Sequence, residues 1–343
     1  MIGRCSTLCD VILLLSLVSL GAVFLTHYVD VTNRNSRNFP AADVTSADED
    51  SPGESLSTMP AGAVTTVSPQ TIDDVLGRIP DTRPAVCHSR KYEQLPVATV
   101  VVVFNDYQFY DAKLTLTSVL RDAELSQLVT EILLVDDASS REQVLQEIQN
   151  YIRSVSRSFP VVRLVRLRRR VGRVRARSLA VDQHVVNDVV VCVDAGVVCV
   201  PGWLSPLLDL VSSASDGQTT IAVPHYDHLT HPVTLQYVET YSDLVATLSW
   251  SLTIRMQRQD AKNWDDESGL SRTVPVLRGD VFAVRRTFLS SVGGLYDRRL
   301  EDGTGAGEHI DLSLRTWLCG GNIKVCAAIS VFISVTVSVL TDD

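Results

Sequence analysis

An α/β fold built on a mainly parallel sheet is the expectation this sequence sets, and three observations set it. From Leu95 onward, short apolar runs alternate with segments of helical periodicity. The apolar runs are rich in β-branched residues, as in TVVVVF at Thr99–Phe104 and VVVCV at Val189–Val193, which is how strands buried on both faces read. Three of the runs end on polar or acidic residues: Asn105-Asp106, Asp136-Asp137 and Asp194. Strands that alternate with helices imply crossover connections, and hence a parallel sheet covered on both faces.

Taken in order, Thr99–Phe104 reads as a strand and Asp111–Ala123 as a helix with Leu114, Leu116, Val119 and Leu120 near one face. Ile132–Val135 is a strand. Arg141–Val155 carries Val144, Leu145, Ile148, Ile152 and Val155 at spacings of three and four, the pattern of an amphipathic helix. Val161–Leu167 is a strand, Arg173–His184 a helix, Val189–Val193 a strand, Gly202–Ser213 a helix and Ile221–Val223 a strand. The closing run Val325–Leu340 alternates Ser and Thr near its end, which suits a strand. Open α/β sheets bind ligands outside the carboxyl ends of their strands. Phe104–Tyr107, Asp136-Asp137 and Asp194 should therefore share one crevice.

Ahead of this region the composition changes. Val11–Val29 is nineteen residues without Asp, Glu, Lys or Arg, close to the roughly 20 needed to span a bilayer as a helix. Small residues at Ser19-Leu20-Gly21-Ala22 would suit signal-peptide cleavage, but the apolar run continues past them, so an uncleaved anchor is expected. Arg4 before the run and Arg34 and Arg37 after it do not settle its orientation. From Asp30 to about Pro84 the chain is rich in Ser, Thr, Pro, Ala and acids, too polar to bury a core, and reads as a disordered stem. The expected organisation is a tail at 1–10, an anchor at 11–29, a stem at 30–90 and a folded domain at 91–343.

Eight arginines lie between Arg163 and Arg177 in a chain of net charge -9. They span a strand, a loop and a helix start, so a solvated basic face beside a phosphate site is expected, not a nucleic-acid patch. His225, Asp227, His228 and His231 in HYDHLTHP could converge on a cation, the alternative being a polar loop after a strand.

Several separated stretches carry a family likeness: VVVVFNDY, EILLVDDAS, RRVGRVRAR, VDAGVVCVPGWLSPLL, TLQY, LSWSL, LYD and GAGEHIDLSLRTWLCGG. In content and order they resemble the polypeptide N-acetylgalactosaminyltransferases. The resemblance implies a glycosyltransferase-A (Rossmann-like) fold on a single-pass type II Golgi membrane protein; family members usually carry a lectin domain as well, and the expectation here is a divergent member without one. It also implies transfer of N-acetylgalactosamine from its UDP donor to Ser or Thr of a protein, with retention at the anomeric carbon and with Mn2+ as cofactor. Other Golgi glycosyltransferases would then be candidate partners.

By the same resemblance Asp194 is a metal ligand, but Gly196 and Val331 stand where the family has its two histidine ligands. Asn105-Asp106-Tyr107 replaces a His-Asn-Glu stretch, and Val171 replaces a glutamate after Arg170. Asp137, Arg170 and Arg177 match nucleotide-binding positions, and Glu308 matches a residue near the sugar. Cys87 and Cys326 match cysteines that pair in the family. The expectation is a member with weak or lost catalysis. The alternatives are an active transferase with an altered or metal-independent site, and a lumenal binding or scaffold protein.

Overall fold

The computed structural model describes residues 72–73, 76–77, 79, 87, 90–106, 109–122, 125–155, 161–212, 216–229, 237–238, 244–258, 271–297 and 307–334. The expected anchor at Val11–Val29 and most of the expected stem lie outside them. Among the described residues no helix is long and apolar enough to cross a membrane.

Four parallel strands form the half of the sheet that the apolar runs announced. They are β1 (Ala98–Phe104), β2 (Val129–Asp136), β3 (Val161–Arg166) and β4 (Val189–Asp194), in the order β3-β2-β1-β4. Phe104 pairs with Asp136 and Val103 with Asp194, so the acidic ends of β2 and β4 finish level with the end of β1. Strand order reverses about β1, which places a switch-point crevice between β1 and β4.

The helices follow from α1 (Phe109–Leu120) through α2 (Glu142–Val155), α3 (Arg173–Gln183) and α4 (Ser205–Ser212) to α5 (Arg286–Ser291) and α6 (Gly307–Leu318). Alternate residues of the strands part to the two faces of the sheet. Val100, Val102, Val191 and Val193 pack with Leu116 of α1, Ile148 of α2 and Leu207 of α4. Val101, Val103, Val190 and Cys192 pack with Val174 and Ala180 of α3, Phe288 of α5 and Leu312 of α6. Burial on both faces is why β1 is apolar at every position but Thr99, and β4 at every position before Asp194.

The other half of the sheet is mixed. β11 (Val281–Arg285) runs antiparallel to β4, and β6 (Thr220–Leu229) antiparallel to β11. β12 (Asn322–Ser334) is parallel to β6, and β10 (Ser271–Thr273) is antiparallel to β12. Two short strands pair at the margin: β5 (Val197–Cys199) with β12, and β7 (Tyr237–Val238) with β6. β8 (Leu244–Leu248) and β9 (Ile254–Arg258) make a separate hairpin.

Some boundaries differ from the sequence reading. Packing begins ahead of residue 91, because Ile72 and Leu76 are buried against Leu114, Val198 and Val200. The strand expected at Ile221–Val223 continues to Leu229, so His225 and His228 lie in one extended strand and not in a loop. Three-residue spacing is out of step with the two-residue period of a strand, and His231 lies outside the described residues. Among the described residues no group of three or more His, Cys, Asp or Glu is placed to hold a metal ion.

Candidate functional site

Asp194 ends β4 at the crevice, and helix α1 fixes the turn that follows it. The Thr115 hydroxyl accepts from the Gly196 N–H at 3.0 Å, the Ser118 hydroxyl from Cys199 N–H at 3.0 Å, and the Asp122 carboxylate from Gly202 N–H at 3.1 Å. Thr115 and Ser118 share one face of α1 at helical spacing, and Asp122 lies two residues past its end. α1 and the residues just after it therefore present polar groups to the 196–202 segment as well as apolar residues to the core. Gly196 has φ +95°, and a Cβ there would contact the Asp111 side chain, whose Cγ lies 3.7 Å away. The left-handed backbone explains why glycine fits and why a histidine would be strained.

On the other side of Asp194 stands the first turn of α3. Arg177 is 1% exposed and pairs through Nη2 with Asp194 Oδ1. Its Nη1 donates to the Tyr296 hydroxyl at 2.9 Å and to the Gly279 carbonyl at 3.4 Å, and the guanidinium lies 5.8 Å from the Phe282 ring centre. Arg177, expected to touch a nucleotide, is thus an inward-facing residue that holds Asp194.

Arg173, one helical turn earlier, takes the second oxygen. Its Nη1 donates to Asp194 Oδ2, and its Nη2 donates to Glu308 Oε1 at 2.6 Å. The Glu308 side chain is 4% exposed and that of Asp194 12%, whereas Arg173 keeps 37% of its side chain open to the crevice. Two buried carboxylates and two guanidinium groups therefore form one neutralised cluster, with Arg173 as its outer member.

Glu308 and His309 open α6, and a set of buried polar contacts fixes that helix. Arg315 bridges Asp311 at 2.6 Å and donates to the carbonyls of Val292, Gly294 and Leu295. Ser313 accepts from the Leu277 N–H at 2.8 Å, which draws the 277–280 loop against α6. Tyr226 accepts from the Val281 N–H at 3.0 Å and Asp194 N–H donates to the Asp280 carbonyl at 2.8 Å, securing that loop to the sheet. The imidazole of His309 then packs against Gly279, where any Cβ would overlap it. Burial first, and then the positive Arg177 and Arg173, push the His309 pKa down to about 3. Its Nδ1 is buried with no hydrogen-bond partner among the described residues.

The remaining expected residues divide in two. Asp137 accepts from the Val171 N–H at 2.8 Å and the Gly172 N–H at 2.9 Å, so both its oxygens hold the turn that starts α3. Arg170 is exposed just before that turn. β12 brings Val331 into register with Cys199, in the strand that follows Gly196. Cys87 and Cys326 are buried in one core cluster, and burial together with both thiols raises the pKa of nearby Tyr92. No disulfide joins them, so the expected bridge is not present in this structure; both cysteines fill the core as small apolar side chains.

Four arginines of the basic run stand in ion pairs: Arg163 pairs with Glu131, Arg166 with Asp136, and Arg173 and Arg177 with Asp194.

An open, mainly parallel sheet with a switch point at β1 and β4, its carboxyl-edge crevice closed by a mixed second half, is the glycosyltransferase-A class of α/β fold. The chain belongs to glycosyl transferase family 2, whose model matches residues 99–274. It is 30% identical over 251 residues to polypeptide N-acetylgalactosaminyltransferase 3 of Drosophila melanogaster, covering 71% of this chain and 36% of that protein. It is likewise 30% identical over 251 residues to polypeptide N-acetylgalactosaminyltransferase 4 of Mus musculus, covering 72% of this chain and 41% of that protein. The chain thus spans about two fifths of the length of the curated relatives it matches. A solved structure of GalNAc-T7 with UDP, GalNAc and Mn2+ superposes with a TM-score of 0.67 at 23% identity, covering 77% of this chain and 49% of that one.

A Mn2+ ion does not fit the residues present. Asp194 is the one acidic ligand that the resemblance leaves, and both its oxygens are taken by guanidinium groups. At 4 Å a dication and a guanidinium repel by about 8 kcal/mol at an effective dielectric of 20, so an ion that approached Asp194 would have to expel Arg173.

Proposed function

We propose that this chain is a polypeptide N-acetylgalactosaminyltransferase-like protein that binds a UDP-sugar at the β1–β4 crevice and transfers the sugar weakly or not at all. The single observation that carries this reading is the commitment of the Asp194 carboxylate to Arg173 and Arg177. Loss of a partner that merely orients a metal ligand costs about 10–100-fold in metal affinity or activity, and here ligand positions 196 and 331 are themselves Gly and Val. The nucleotide end of the crevice is better preserved. Asp137 holds the turn that presents Arg170, as a phosphate- or base-binding loop requires. On the same reading, Val11–Val29 anchors the chain in the Golgi membrane with the folded domain in the lumen, where Ser- and Thr-bearing proteins would be its acceptors.

The test is transfer of N-acetylgalactosamine from UDP-N-acetylgalactosamine to a panel of Ser/Thr peptides, with and without Mn2+, beside an active relative. Turnover at least about 100-fold below the relative, with no manganese stimulation, is expected. Turnover matching the relative and dependent on Mn2+ would overturn the reading. A second reading, a working transferase with a metal-independent site, is favoured by the open guanidinium of Arg173, and manganese-independent turnover at the relative's rate would select it.

A further inference from the structure

We propose that Arg173 is the resident cation of this site: its guanidinium fills the space between Asp194 and Glu308, and there it binds the diphosphate of a nucleoside diphosphate without metal. The inference deepens the nucleotide-binding reading above and rests on it. Two carboxylates converge on one point in the crevice, which is how a protein holds a cation, and the cation in place is a side chain. Arg177 and Arg173 balance the two acids charge for charge. A dication added to the cluster would set four positive charges against two negative ones.

The geometry also leaves Arg173 with donors to spare. Guanidinium carries five N–H groups, and the structure engages one on Nη1 and one on Nη2. Three remain, on a side chain that keeps 37% of its surface open to the crevice. A planar fork of this kind matches phosphate oxygens two at a time. Held rigid by Asp194 and Glu308, it loses little freedom when a ligand arrives. Beside the cluster the buried Nδ1 of His309 has no hydrogen-bond partner among the described residues.

Titration calorimetry of the full chain with UDP tests this, in buffer with EDTA and in buffer with Mn2+. Wild-type affinity should agree within about threefold between the two, because no metal takes part. Arg173→Ala should weaken UDP by about tenfold or more in EDTA, the worth of a charge-assisted bidentate contact. Arg173→Lys, which keeps the charge and loses the fork, should fall between them, and its melting temperature shows whether the fold is intact. With Asp194 and Glu308 uncovered, Arg173→Ala should also gain UDP affinity from Mn2+. Wild-type binding that Mn2+ strengthens tenfold would overturn the proposal while leaving the nucleotide site standing. Arg173→Ala binding UDP as wild type does would overturn it too. Absence of UDP binding in both buffers would remove the nucleotide site and the proposal together.

Discussion

Replacing Arg177 by methionine removes the innermost charge of the cluster and leaves a side chain of similar length. The wild-type guanidinium is 1% exposed, and it contributes an ion pair to Asp194, a 2.9 Å hydrogen bond to the Tyr296 hydroxyl and a contact with the Phe282 ring. Breaking a buried ion pair costs about 3–5 kcal/mol, because the surviving partner is left desolvated. Asp194 keeps Arg173, so the lower end applies, and about 3 kcal/mol corresponds to a fall of roughly 6–12 °C in Tm for a domain of this size. Urea unfolding followed by tryptophan fluorescence reads the loss, with the fully buried Trp203 as a core probe. The double variant Arg177→Met with Asp194→Asn should recover part of it, since removing both members of a buried pair is far milder than removing one. A loss below 1 kcal/mol in the single variant, or a double variant as unstable as the sum of its parts, would refute the reasoning.

Other outcomes follow from the same contacts. Asp137→Ala deprives the Val171 and Gly172 N–H groups of their acceptors. It should cost about 2 kcal/mol and speed hydrogen exchange at those two amides, and unchanged exchange would contradict it. His309 ionises near 6.5 in an unfolded chain and near 3 in the fold, so the unfolded state takes up the proton first and stability falls as pH drops from about 6.5 towards 3. His309→Asn should flatten that fall between pH 7 and pH 5, and parallel urea midpoints for the two proteins would contradict it. Gly279→Ala places a Cβ inside the space of the His309 ring. It should cost about 1–3 kcal/mol by overpacking, and a variant as stable as wild type would show that the ring moves freely.

The strands were legible because burial on both faces leaves one composition open to them. β1 apart from Thr99, and β4 as far as Asp194, are apolar throughout, and the sheet partitions those residues alternately to its two faces. Asp194 was legible for the same reason, as the first charge after such a run. Its partners were harder to see. Arg173 and Arg177 are four apart on α3, a spacing that puts both on one face of a helix, and that is the signal that could have named Arg173. Glu308 joins them across 135 residues of chain, and no local pattern encodes that meeting.

α1 misled in a different way. Reading only its apolar residues hides Thr115 and Ser118, which together with Asp122 just past the helix hold the 196–202 segment. The histidines of HYDHLTHP look like a cluster in one dimension, but His225 and His228 lie on a ten-residue strand that ends at Leu229. β5 is three residues long, too short for periodicity to show.

The central claim is that the Asp194 carboxylate belongs to arginine and not to a metal. Electron paramagnetic resonance of Mn2+ titrated into the full chain without nucleotide tests it most directly, because bound Mn2+ loses the signal of the free aqueous ion. The wild-type protein should leave that signal at full strength, and Arg173→Ala should diminish it through a site that Asp194→Asn abolishes. A stoichiometric Mn2+ site in the wild type, lost on Asp194→Asn, would contradict the account.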